Sequence, residues 1–140
     1  MPNIARILQD SRIIAIVGMS DKPERASHEV AAYLLQHGYR VLPVNPALAG
    51  KEVLGQRAYA TLTQAAAAVA PARIDIVDCF RKPADILPIA EETIAVMAGC
   101  LWLQLDIVNE AAVQLARAAG LDVVMDHCTK IEHRKLAVTA

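Results

Sequence analysis

Apolar residues recur along this chain with two different periods, and the alternation between the two predicts its architecture. Residues 13–17 form an unbroken apolar run, too short for a helix and rich in β-branched side chains. Such a run marks a strand buried on both faces. It ends at Gly18, and small and polar residues lead into a segment at 25–37 where Val30, Ala31, Leu34 and Leu35 share one helical stripe. Gly38, after His37, supplies the left-handed residue that stops this helix. A leading helix over 2–11 is predicted from the spacing of Ile4, Ile7 and Leu8.

The same alternation continues. A second strand at 40–44 ends in the turn signal Asn45-Pro46. Residues 47–60 read as loop with a short edge element near Val53. Thr61 or Thr63 then caps an alanine-rich helix that stops before Pro71. A third strand at 74–80 precedes a helix over 83–97, opened by Pro83 and kinked or broken at Pro88. A fourth strand at 100–105, a helix from Asn109 to Ala119, and a fifth strand at 121–125 follow. The closing stretch, DHCTKIEHRKLAVTA, is polar and reads as irregular with at most one helical turn. Five strands alternating with helices predict an α/β fold. It is Rossmann-like and doubly wound, a mainly parallel five-stranded sheet with helices on both faces.

Composition adds limits. At 140 residues and 55% hydrophobic, the chain suits one domain with a core that needs neither disulfides nor metal. The net charge of −1 gives no global attraction to nucleic acid or to an acidic membrane. No apolar run reaches the length of a membrane span. Cys79, Cys100 and Cys128 are odd in number and lack CxxC spacing, so reduced thiols and a cytoplasmic location are expected. A homodimer through an edge strand or an apolar helix face is the ordinary expectation for such a chain.

In open parallel sheets, ligands bind beyond the carboxyl ends of the strands, at the switch point of the topology. The first such end reads Gly18-Met19-Ser20-Asp21-Lys22-Pro23-Glu24-Arg25. It has one glycine where a dinucleotide fingerprint has three, and it lacks the Walker pattern. Ser20 and Ser27 offer hydroxyls, and Lys22 and Arg25 add positive charge beside a helix start. Two readings stand: an anion-binding loop, or a helix start whose charges face water. Asn45 ends the second strand where an NAD site places an acid, which leaves room for a ribose bearing a further phosphate. Arg81 and Lys82 open a helix against its dipole, a conflict that favours an anionic ligand. Asp75 falls near the start of the third strand and Asp78 near the mouth of the site. His28 and His37 are expected on a helix surface, and Trp102 in the core. Asp126, His127, Cys128 and His133 do not have zinc-site spacing and read as polar tail, with a redox role for Cys128 as the alternative. No residue set for catalysis or metal binding stands out.

The segments VGMSDKPERASHEV, GYRVLPVNP, DIVDCFRKP, LWLQLDIVNEAA and VVMDHCTKIEH occur in order between residues 11 and 136. Together they resemble the small stand-alone CoA-binding proteins, whose fold is similar to the CoA-binding domain of succinyl-CoA synthetase α subunits. The resemblance implies binding of coenzyme A or an acyl-CoA. By position, Gly18, Met19, Ser20 and Arg25 would meet the diphosphate, with Lys22 and Ser27 beside them. Val44, Asn45 and Pro46 would border the nucleotide. Phe80, Arg81 and Lys82 would close over it, and Gln104 would lie nearer the pantetheine path. The family commonly has Gly-Ala-Ser where this chain has the bulkier Gly18-Met19-Ser20. The resemblance is to a binding module, which implies a carrier, sensor or regulatory subunit without catalysis of its own. The alternatives are a subunit of an acyl-CoA ligase or an NADP-type oxidoreductase.

Overall fold

The computed structural model describes residues 3–139. Five parallel strands form the sheet: β1 (Ile13–Val17), β2 (Arg40–Val44), β5 (Ile76–Cys79), β6 (Cys100–Leu103) and β7 (Asp122–Val124), in the order β2-β1-β5-β6-β7. A separate antiparallel ribbon pairs β3 (Glu52–Val53) with β4 (Gln56–Arg57), so the edge element expected near Val53 is one arm of a hairpin. The chain steps from β1 outward to β2 and then crosses back to β5 on the other side. That reversal puts the switch point between β1 and β5.

Alternation along each strand builds a core on both faces. Ile13 and Ala15 face one cluster, with α3 (Leu62–Val69), α4 (Ile86–Ala95) and α5 (Glu110–Ala118) packed over it. Ile14 and Ile16 face the other, covered by α1 (Ile4–Asp10), α2 (Ala26–Gln36) and α6 (Thr129–Thr139). All four of those side chains are buried, as the apolar run in the sequence requires. Trp102 is also buried in the second cluster, and its indole N–H donates to the His127 carbonyl at 2.8 Å.

Three elements refine the expectations. Thr61, not Thr63, caps α3: its hydroxyl accepts from the Gln64 N–H at 3.1 Å, whereas Thr63 bonds the Glu92 carboxylate. Of the two outcomes expected at Pro88, the helix has the broken start and no kink. A 3-10 turn at Pro83–Asp85 comes first, and α4 begins at Ile86, so Pro88 lies in the first turn, where a missing N–H leaves no bond broken.

The third is a correction. The polar closing stretch is not irregular; it forms the 11-residue helix α6. Polar clasps from distant residues hold it rather than an apolar stripe. Thr129 bonds Asp78, Lys130 meets Glu29 at 2.7 Å, and the Tyr33 hydroxyl lies 2.8 Å from Nδ1 of His133.

Candidate functional site

The turn after β1 is shaped by a close approach of two chains. Gly18 has φ +87°, and a Cβ there would stand 2.8 Å from the Phe80 carbonyl oxygen and 2.9 Å from Cδ of Arg81. Only glycine lets the ends of β1 and β5 come this near. The Gly18 and Met19 N–H groups both donate to the Val44 carbonyl, at 2.9 and 3.3 Å. The Ser20 N–H donates to the buried Ser27 hydroxyl at 2.9 Å, and the Lys22 N–H to the Ser20 hydroxyl at 3.1 Å. The donors of the glycine turn therefore organise the loop itself.

Open donors lie at the helix start instead. Arg25 occupies the cap position of α2 without a side-chain bond to the first turn. Among the described residues, the N–H groups of Ala26, Ser27 and His28 find no acceptor. With the helix dipole behind them, these N–H groups form an anion-binding end. The exposed side chains of Lys22 and Arg25 make no ion pair among the described residues, so two cations stand free beside that end.

A crevice of about 420 Å³ opens at this point. Gly18, Met19, Ser20, Lys22, Arg25 and Ser27 line one side, with Asn45 and Leu48 on the other and Phe80 at the end of β5. Met19 adds no bulk to the crevice, because its side chain is fully buried in the core. Asn45 links the two walls. Its amide N–H donates to the Met19 carbonyl at 2.8 Å and its Oδ1 accepts from the Ala47 N–H at 2.9 Å, leaving one N–H for a ligand.

The other expected residues sit around this crevice rather than in its wall. Val44 is buried beneath it, and Pro46 begins the 3-10 turn behind Asn45. Arg81 and Lys82 are exposed at the rim, and Arg81 pairs with Asp85 at 3.3 Å. Gln104 is 5% exposed and directs its amide inward to Asp78 and to Thr129, the latter at 3.1 Å.

Asp78 lies deeper than expected. It is fully buried on the α6 face of β5, away from any mouth, and accepts from Gln104 and, at 2.8 Å, from the Thr129 hydroxyl. Burial pushes its carboxyl up to about 7, against the two hydrogen bonds that favour the charged form. This Asp78–Gln104–Thr129 knot joins β5, the end of β6 and the start of α6. An acid inside an otherwise apolar strand was the one sequence signal for it.

The polar residues after β7 do not converge. His127 faces Glu132 at 3.5 Å, His133 faces Tyr33, and Asp126 accepts from the Asp106 N–H. Among the described residues no group of three or more His, Cys, Asp or Glu could hold a metal ion. Cys79, Cys100 and Cys128 are free thiols, and burial pushes the first two well above the usual thiol range. Among the described residues no helix is long and apolar enough to cross a membrane.

Residues 12–134 match the family described as CoA binding domain. The chain belongs to that family. Protein YneT of Bacillus subtilis, described as uncharacterized, is 39% identical over 130 residues, which are 93% of this chain and 91% of that one. A Thermus thermophilus structure is 35% identical with a TM-score of 0.87, covering 95% of this chain and 96% of its own. An acetyl-coenzyme A synthetase from Ca. Korarchaeum cryptofilum shares the fold with a TM-score of 0.68 at 20% identity. The match covers 86% of this chain and only 27% of the synthetase. The CoA-binding domain thus corresponds in fold to about a quarter of that larger chain.

Proposed function

We propose that this chain binds coenzyme A or an acyl-CoA in the crevice at the β1–β5 switch point, and catalyses no reaction on its own. The observation that carries this reading is the uncapped start of α2 beside two free cations, Lys22 and Arg25, within a chain of the CoA-binding family. Open N–H groups and unpaired positive side chains fit a diphosphate. Arg81 and Lys82 at the rim suit the remaining phosphate, and the single open N–H of Asn45 suits a ribose oxygen. Gln104 takes the part of a positioning residue through Asp78 and Thr129, since its amide is engaged inside the protein.

Among the described residues, Asp21 is the one carboxylate in the crevice wall and is paired with no base there, which favours a carrier, sensor or regulatory role over catalysis. The fold shared with part of an acetyl-CoA synthetase leaves a ligase role open only where another chain supplies the chemistry. An NADP-type site is less well served, because the turn after β1 carries one glycine where a dinucleotide fingerprint has three.

Arg25→Ala tests the site. Arg25 is exposed and bonded to no side chain, so the fold is expected to stay intact by circular dichroism. Calorimetry is expected to show CoA affinity falling about tenfold, or 1.4 kcal/mol. Unchanged affinity would remove the start of α2 from the ligand site.

A further inference from the structure

A second cavity, of about 330 Å³, opens at the opposite end of the sheet. It lies where the chain enters β1 and β2, beneath α6, and its wall includes Leu8, Arg12, His37, Tyr39, His133 and Leu136. Among the described residues, no carboxylate lines it. The Arg12 main-chain N–H bonds Asp75, but its guanidinium makes no ion pair among the described residues. Arg12 itself is part of the cavity wall, so its charge borders that space.

Each imidazole has one nitrogen engaged and one left over. Nδ1 of His37 lies 2.8 Å from the Tyr33 carbonyl, which can only accept, so this nitrogen carries the proton and Nε2 is left bare. Nδ1 of His133 is engaged by the Tyr33 hydroxyl at 2.8 Å, leaving its Nε2 unbonded among the described residues. The rings are held in place by stacking of His37 on Tyr33, with centroids 4.0 Å apart, and by edge contacts of His133 with His37 and Tyr39. Leu136 adds aliphatic surface.

We propose that this cavity is a second ligand site, one that takes a compact organic carboxylate. Its anionic group would meet the Arg12 guanidinium and, with the Tyr33 hydroxyl donating to Nδ1 of His133, the Nε2–H of that ring. The bare Nε2 of His37 accepts only and stays clear of it. Its apolar body would lie on Tyr39 and Leu136. One permanent cation matches a monoanion, and the aromatic and aliphatic wall requires an apolar body. Two imidazoles without a third ligand do not make a metal site. The site is separate from the β1–β5 crevice and does not depend on what binds there.

The test is a titration of the isotope-labelled chain, followed by backbone amide resonances. Sodium benzoate at millimolar concentration is expected to shift the Gly38 and Tyr39 amides saturably. Benzamide, its neutral counterpart, is expected to bind roughly tenfold more weakly, and inorganic phosphate to leave both amides unmoved. Arg12→Gln, at an exposed position, should weaken benzoate by a similar factor while leaving the crevice resonances in place. Absence of saturable shifts, equal binding of benzamide, phosphate binding as tight as benzoate, or an unchanged Arg12→Gln titration would each overturn the proposal.

Discussion

Gly18→Ala is expected to lower the stability of the chain by about 3 kcal/mol and its melting temperature by roughly 6–12 °C. Two effects add. An alanine at φ +87° is held in the left-handed region, and its methyl group would stand 2.8 Å from the Phe80 carbonyl. Relief requires the ends of β1 and β5 to part, and those ends frame the crevice. Gly18→Ala should therefore reduce both stability and CoA affinity more than Gly38→Ala, at a remote position that also has positive φ but nothing within 4 Å of its added Cβ. Urea unfolding of both variants, alongside calorimetry, makes the comparison. Equal losses in Gly18→Ala and Gly38→Ala would show that the close approach at the switch point carries no weight.

The second large effect is a dependence of stability on pH that traces to Asp78. In the unfolded chain its carboxyl ionises near 3.8; in the folded protein, burial pushes it up to about 7. Between those values the folded state holds one more proton than the unfolded state. Stability from this group is full below 3.8 and is lost as pH rises through 7. The slope is about 1.4 kcal/mol per pH unit and the total about 4 kcal/mol. His133 acts in the opposite sense, since burial and its neighbour His37 lower its proton affinity. A comparison of wild type with Asp78→Asn isolates the carboxyl from that background. Asparagine keeps an oxygen for Gln104 but cannot ionise, so the difference in stability between the two proteins should drift by about 3 kcal/mol between pH 4.5 and 7.5. A constant difference across that range would mean that the Asp78 carboxyl stays ionised inside the fold.

Much of the architecture was legible because short-range signals and packing agree. The apolar runs of β1 and β2 end at Gly18 and Asn45, and the strands end there too. Asn109 announces α5 and caps it, its Oδ1 accepting from the Ala112 N–H at 3.0 Å. Where local signals are weak, the sequence misled. Helix α6 has no continuous apolar stripe; Asp78, Glu29 and Tyr33, all distant in sequence, hold it through polar groups. No local pattern encodes such clasps.

The site divides along the same line. The glycine turn, Lys22, Arg25, Ser27, Asn45 and Phe80 were legible as strand-end residues, and the fold brings them to one crevice. The allocation of their hydrogen bonds was not. That the donors of Gly18 and Met19 turn inward to Val44, while α2 starts without a cap, depends on how β1 and β2 pair. The resemblance puts Gln104 nearer the pantetheine path, and the sequence puts Asp78 near the mouth of the site. Their side chains instead satisfy one another, as buried polar groups must.

The most direct measurement is calorimetric titration of the wild-type chain with CoA, acetyl-CoA, NADP and ATP. Saturable binding of CoA or acetyl-CoA, with NADP and ATP binding far more weakly, is the predicted result. Saturation by NADP but not by either CoA compound would contradict the account and turn the crevice into an oxidoreductase site.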